Sequence, residues 1–273
     1  MRKARWLANA AVASALALAA SVHSMAAQAL TLQDRIDANH FEFIPEGEGP
    51  FPTLIAFPGC SGIAFQDPVA EATHSDLRDD DRLFRSHYPQ AAERLQEEGF
   101  AVLLIHVHGA EGLVTACNGE IQTERIAEYI TDAVRWAADL DFVDRGRIHV
   151  IGWSMGGRGV LTWLNTPQSR VTPVRSVIAV YAGCGDQQSL TTHVPLLLLL
   201  GGADDIADPR ICGRLLSQSP SASRITVHVY AGARHGFDVS AAPPVLDIGN
   251  GMTIGYQRAA AEAAWREIFA FLN

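Results

Sequence analysis

The stretch RIHVIGWSMGGRGVL, residues 147–161, joins an apolar run to a glycine-rich segment that contains one serine. The apolar part, Ile148–Trp153, is typical of a strand that is buried on both faces. Gly152, Ser154 and Gly156 form a G-x-S-x-G pattern, in which the serine lies on a tight turn between a strand and a helix. The pattern predicts that Ser154 is a nucleophile, and the alternative is a serine that only caps the helix.

Apolar runs alternate with segments of helical periodicity along the rest of the chain. The predicted strands are Thr53–Phe57, Ala101–Val107, Ile148–Trp153, Ser176–Ala182, Leu196–Leu200 and Ile225–Ala231. The predicted helices are Asp81–Glu98, Thr123–Leu140, Met155–Asn165, Pro209–Gln218 and Tyr256–Leu272. This alternation predicts an α/β fold, with a mostly parallel central sheet that is flanked by helices on both faces. Residues 31–52 contain three prolines and are expected to form an extended edge element.

The first 29 residues have the pattern of a signal peptide. Arg2, Lys3 and Arg5 precede an alanine-rich apolar run, and small residues suited to cleavage follow near positions 26 and 29. The run is short and weakly apolar for a membrane span, so a membrane anchor is the less favoured alternative. We therefore expect residues 30–273 to form one domain that is periplasmic or secreted, with no stable membrane anchor after cleavage.

Charge and cysteine content narrow the partners and the compartment. The net charge is −9, and cleavage would remove basic residues only, which argues against nucleic acid as a partner. The oligomeric state cannot be predicted from the sequence. In an oxidising compartment the four cysteines can pair. Because the members of each pair follow consecutive predicted strands, the expected disulfides are Cys60–Cys117 and Cys184–Cys212.

A candidate acid and a candidate base follow Ser154 in the order that α/β-hydrolases use. GGADDIADP, residues 201–209, follows one predicted strand, and GARHGFD, residues 232–238, follows the next. Parallel strands deliver both loops to the same edge of the sheet. We expect His235 to be the base and Asp204 the acid that orients it, with Asp205 as the second choice. The alternative is an acidic turn and a surface histidine that are unrelated.

The loop after the first predicted strand, Pro58-Gly59-Cys60-Ser61-Gly62, is the expected site of an oxyanion donor. Pro58 has no N–H group, so Cys60 is the candidate here, and Met155 supplies the second N–H. An ordinary glycine turn is the alternative.

Trp153, His108 and Arg158 are candidate contacts in a substrate pocket, because they lie near the ends of predicted strands or beside Ser154. His106 and His108 flank Val107 and would share one face of a strand. No third ligand is evident, so no metal site is predicted, and the expected chemistry requires no organic cofactor.

Four stretches resemble the dienelactone hydrolase family of α/β-hydrolases, over a similarity that runs from about Pro52 to the C-terminus. They are FPGCSGI, RIHVIGWSMGG, LLLGGADD and YAGARHGFD. The resemblance implies that Asp204 matches the family acid and that His235 matches the family histidine. Ser154 stands where the founding enzymes have cysteine, and no arginine follows Phe237 where they have one. The resemblance therefore implies an ester-type hydrolase more than it implies dienelactone as the substrate.

The expected activity is hydrolysis of a small carboxylic ester or lactone through an acyl-enzyme. Two alternatives remain at this point. One is a peptidase or polyester depolymerase on the same scaffold, and the other is a hydrolase-like binding protein without activity.

Overall fold

The structure, a computed structural model, describes residues 30–63, 79–185 and 187–273. The predicted signal peptide, residues 1–29, lies outside the described residues. Among the helices that are described, none has the length and the apolar character needed to cross a membrane.

The described part of the chain contains nine strands and seven α-helices. The strands are β1 (His40–Phe43), β2 (Phe51–Phe57), β3 (Ala101–Ile105), β4 (Val143–Trp153), β5 (Ser176–Val180), β6 (Leu196–Gly201), β7 (Ile225–Tyr230), β8 (Leu246–Gly249) and β9 (Met252–Ile254). The helices are α1 (Leu32–Asp37), α2 (Asp79–Glu97), α3 (Val107–Ala110), α4 (Thr123–Ala137), α5 (Met155–Leu164), α6 (Pro209–Ser217) and α7 (Arg258–Leu272).

Seven of the described strands form one sheet in the order β1-β3-β2-β4-β5-β6-β7. Within this sheet β1 runs antiparallel to β3, and the other neighbouring strands are parallel. After β2 the chain forms β3 on one side of β2, and it then crosses over to form β4 on the other side of β2. This reversal opens a crevice at the carboxyl ends of β2 and β4, which is where ligands bind in open α/β sheets.

Helices cover both faces of the sheet. Neighbouring residues of a strand point to opposite faces, so Leu54 belongs to one buried cluster and Ile55 to the other. The cluster around Ile55 includes residues of α4 and α5, and the cluster around Leu54 includes residues of α2 and α7. The α/β-hydrolase architecture that the sequence predicts is therefore present, and Leu32–Asn273 forms one compact unit.

Three sequence-based expectations differ from the structure. Residues 31–52 contain helix α1 as well as the edge strand β1, because Leu32 and Ile36 turn one apolar face of α1 inward. The last parallel strand is not buried on both faces, since Val227 and Val229 are exposed on the edge strand β7. The second predicted strand, Ala101–Val107, ends early, at Ile105.

The hairpin β8–β9 is absent from the sequence-based prediction. Its turn is Gly249-Asn250-Gly251, and all three residues have positive φ angles of 92°, 56° and 75°. Glycine and asparagine adopt this left-handed region most easily, so a Gly-Asn-Gly turn between two short apolar runs was the available signal.

Two disulfides close loops at the carboxyl end of the sheet. Cys60 bonds to Cys117 and Cys184 bonds to Cys212, with Cα–Cα distances of 4.7 and 5.1 Å. The partners agree with the pairing expected from the order of the strands. Cys212, however, lies inside helix α6 and not in a loop.

Removal of the second disulfide should lower stability while leaving the Cys60–Cys117 bond intact. We expect the Cys184→Ala/Cys212→Ala double variant to lose about 3–4 kcal/mol of unfolding free energy, because the bond constrains the unfolded chain over a long loop. Urea denaturation of the variant and of the unmodified protein measures the difference. Non-reducing peptide mapping that found free thiols or exchanged partners would contradict the pairing.

Candidate functional site

Ser154 lies at a sharp turn where β4 ends and α5 begins. Its φ and ψ angles are 50° and −113°, a conformation that residues other than glycine rarely adopt. A Cβ atom at Gly152 would lie 2.5 Å from the carbonyl carbon of Gly156, and one at Gly156 would lie 2.3 Å from the carbonyl oxygen of Phe57. Only glycine permits these approaches, so the two flanking glycines define the turn.

The side chains of Ser154, His235 and Asp204 form a hydrogen-bonded row. The Ser154 Oγ–H donates to Nε2 of His235 over 2.9 Å, and His235 Nδ1–H donates to Oδ2 of Asp204 over 2.8 Å. The Asp204 and His235 side chains are almost fully buried. The Ser154 hydroxyl makes no capping hydrogen bond to α5, so the structure does not support the helix-cap alternative.

The three candidate aspartates have different partners. Asp204 Oδ1 accepts hydrogen bonds from the backbone N–H groups of Ile206 and Ala207, which fix the carboxylate that faces His235. Asp205 instead accepts from the N–H and the hydroxyl of Thr253, and therefore ties strand β9 to the loop after β6. Asp208 caps helix α6.

The loop after β2 lies beside Ser154. A Cβ atom at Gly59 would be 3.2 Å from the Ser154 Cβ, and the Gly59 N–H already donates to the Tyr88 hydroxyl over 2.8 Å. Cys60 is the next residue of the loop. It lines a cleft together with Ser154 and Met155, and Met155 is the first residue of α5, where an N–H has no acceptor within the helix. The two predicted oxyanion donors thus belong to residues at the same cleft.

Buried donors hold the carbonyl groups of this loop. The Cys60 carbonyl accepts from the Ala116 N–H over 2.8 Å and from His108 Nε2–H over 3.1 Å. The Ser61 carbonyl accepts from the Arg85 guanidinium over 3.3 Å. With the Cys60–Cys117 bond, these contacts leave the loop little freedom to rotate its peptide groups.

His108 supports the loop and does not line the cleft. The expectation that His106 and His108 share a strand face is wrong, because β3 ends at Ile105 and His108 lies in the short helix α3. The pKa of His108 is lowered to about 4, chiefly by burial and also by the nearby His106 and Arg85, against the opposing effect of the Cys60 carbonyl and Glu120. The imidazole is therefore neutral near pH 7.

Trp153 is also buried beneath the site and does not contact the cleft as expected. Its indole N–H donates to Asp238 Oδ2 over 3.3 Å, and His87 Nε2 lies 3.3 Å from the same oxygen. Burial opposes ionisation of Asp238, but His87, Tyr181 and Trp153 outweigh it and lower the pKa of this carboxyl. Tyr181 also packs edge-on against the His235 ring, at 4.8 Å between centroids. A tryptophan at the end of a strand can point toward the cleft or toward the core, and the sequence pattern does not distinguish these two orientations.

Two clefts meet at Ser154 and His235. The first, with a volume of about 390 Å³, lies under the hairpin β8–β9 and is lined by Phe84, Ile248 and Met252 among others. The second, of about 560 Å³, includes Arg158, which was predicted as a pocket residue. Phe84 and the hairpin residues were not predicted, because their part in the site depends on packing and not on a motif. Within residues 30–63, 79–185 and 187–273, no group of three or more His, Cys, Asp or Glu is placed to hold a metal ion.

Comparisons with known proteins point to one family. The sequence profile of the dienelactone hydrolase family matches residues 84–273. A Klebsiella pneumoniae structure described as a dienelactone hydrolase is 16% identical, covers 85% of this chain and 91% of its own, and superposes with a TM-score of 0.64. A dienelactone hydrolase-like promiscuous phosphotriesterase from metagenomic libraries is also 16% identical, with coverages of 85% and 90% and a TM-score of 0.61. These likenesses show the shared fold. No curated protein sequence matches the chain.

The buried His108 should make the protein sensitive to acid. Its pKa is about 4 in the folded chain and about 6.5 in an unfolded one, so the unfolded state binds more protons as the pH falls between these values. Its contribution is present above pH 6.5 and is lost progressively toward pH 4, by on the order of 3 kcal/mol. We expect His108→Gln to flatten the fall in unfolding free energy over this range, measured by urea denaturation. His193→Gln, at an exposed histidine, is the control, and an equal slope in all three proteins would contradict the prediction.

Proposed function

The chain belongs to the dienelactone hydrolase family, and on this premise we propose that it hydrolyses a carboxylic ester or lactone through an acyl-enzyme. The observation that carries the proposal is the hydrogen-bonded row from Ser154 through His235 to Asp204. A serine hydroxyl becomes a useful nucleophile when a base stands within hydrogen-bond distance and an acid orients that base. The nearby Cys60 and Met155 provide the two positions needed for an oxyanion hole.

Acylation follows from these contacts. Ser154 Oγ attacks the carbonyl carbon while His235 Nε2 takes the hydroxyl proton, and Asp204 stabilises the resulting imidazolium. The backbone N–H groups of Cys60 and Met155 bind the oxyanion of the tetrahedral intermediate. The carbon–oxygen bond to the alcohol then breaks, and His235 returns its proton to the departing oxygen.

Deacylation repeats the sequence with water. His235 Nε2 takes a proton from a water molecule whose oxygen attacks the acyl carbon of the Ser154 ester. The second tetrahedral intermediate collapses, and the acid product leaves as the proton passes back to Ser154 Oγ. All proton transfers pass through one imidazole nitrogen, so no metal or organic cofactor takes part in the proposed cycle.

The proposed substrate is a small molecule, and the proposed location is the periplasm or the extracellular medium. The net charge of −9 argues against nucleic acid, and the N-terminal pattern of residues 1–29 argues for export. Both disulfides in the structure are consistent with an oxidising compartment.

Ser154→Ala tests the nucleophile. We expect this variant to lose both labelling by a fluorophosphonate probe and hydrolysis of a short activated ester. The unfolding free energy should change by less than about 1 kcal/mol, because the hydroxyl does not cap α5 and glycines define the turn. Mass spectrometry of the labelled peptide and urea denaturation provide the two measurements. Folded wild-type protein that is neither labelled nor active would overturn the proposed function.

The pair Asp204→Asn and Asp205→Asn tests the acid. Asparagine at 204 no longer enforces the His235 tautomer, and we expect kcat to fall by about 10⁴-fold, as triad acids generally behave. The same change at Asp205 weakens its contacts with Thr253 and Arg234, neither of which touches the His235 imidazole, and should cost far less. Steady-state kinetics on one activated ester gives both values, and losses in the reverse order would move the assignment to Asp205.

A further inference from the structure

The two clefts that meet at Ser154 differ in charge. Among the described residues that line the first cleft, here called the hairpin cleft, there is no Asp, Glu, Lys or Arg. The described lining of the second, the charged cleft, includes Glu124, Arg158 and Asp208. Each cleft also contains His235, so a substrate bound across Ser154 extends into both.

The hairpin cleft combines uncharged polar residues, among them Thr115 and Asn118, with an apolar wall on the His235 side. Phe84 is 8% exposed, and its ring centroid lies 6.2 Å from that of His235. Ile248, Met252 and Ile254 of the hairpin continue the apolar wall, and Ile206, 39% exposed, stands at the junction of the two clefts. A hydrocarbon group that enters this cleft leaves water for an apolar surface, which favours binding.

The reaction cycle distinguishes the two halves of an ester. The alcohol oxygen that departs and the water that later attacks both exchange a proton with His235 Nε2, so the water takes the place that the alcohol vacates. A cleft with charged side chains admits that water, and a cleft with uncharged walls excludes it once a hydrocarbon chain fills the space. The acyl group, which stays bonded to Ser154 during this exchange, therefore fits the hairpin cleft.

We propose that the substrates are esters that join an uncharged, mainly hydrocarbon acyl group to a polar alcohol. The acyl group lies under the hairpin β8–β9, and the alcohol lies in the charged cleft. This inference rests on the proposed ester hydrolysis and adds the substrate class and the orientation.

Two substrate series test the proposal on the mature protein. With p-nitrophenyl esters from acetyl to octanoyl, kcat/KM should rise by up to about fourfold for each buried methylene until the cleft is full. With a constant butyryl group, 2-hydroxyethyl butyrate should have a higher kcat/KM than octyl butyrate. A flat acyl series, or a preference for octyl butyrate, would overturn the inference.

Matched variants locate the effect. Met252→Glu places a carboxylate in the hairpin cleft and should reduce the octanoyl-to-acetyl ratio of kcat/KM by at least about tenfold, because burying an unpaired charge is costly. Met252→Leu should keep the ratio. Val245→Glu adds the same charge at a residue that is 55% exposed and does not line the hairpin cleft, so its ratio should match wild type.

Two failures are distinguishable. If no ester in either series is hydrolysed and Ser154 is not labelled, the proposed function fails and this inference fails with it. If esters are hydrolysed but Met252→Glu and Val245→Glu give the same ratio, only the assignment of the hairpin cleft is wrong. Circular dichroism confirms that each variant is folded before its kinetics are compared.

Discussion

The close approach of three backbone segments at the end of β4 underlies the rest of the site. A side chain at Gly152 or Gly156 would collide with backbone atoms, so the chain can pass directly from β4 into α5 only with glycine at both positions. The carbonyl of Phe57 faces Gly156 across the same contact, which brings the loop after β2 against the beginning of α5. Ser154 and the two candidate oxyanion donors are neighbours because of this one steric constraint.

Around that contact, buried polar groups hold each part in one orientation. His108 and Arg85 bind carbonyls of the loop after β2, and Asp238 binds the indole of Trp153 one residue before Ser154. Such groups stabilise only when they are paired, so each restricts its neighbours to the geometry that satisfies it. A site whose dipoles are already in place needs little reorganisation when charge develops in the transition state.

The sequence predicted those features that depend on the order of strands. Ser154, Asp204 and His235 could be predicted to meet because each follows a parallel strand, and parallel strands end at one edge of the sheet. The disulfide partners could be proposed for the same reason. The identity of the family also followed from short motifs around these positions.

Features that depend on packing were predicted poorly. Trp153 and His108 lie near strand ends, but periodicity does not show whether such a side chain enters the cleft or the core. The strand β7 is apolar in sequence, yet its position at the sheet edge exposes Val227 and Val229. The hairpin forms a wall of the site although it contains none of the motif residues, and only its turn had a local signal.

The hairpin β8–β9 is bonded to the two loops that carry His235 and Asp204. The Gly255 N–H, just after β9, donates to the carbonyl of His235, and Thr253 is bonded to Asp205 beside the candidate acid. A Cβ atom at Gly255 would also lie only 2.1 Å from the Pro244 carbonyl oxygen. A graft of another hairpin onto this scaffold would therefore have to preserve both junctions, because an error in either one would displace the backbone that carries the candidate base, His235. The candidate substrate wall and the candidate base are thus joined by direct backbone contacts, so a change in one constrains the other.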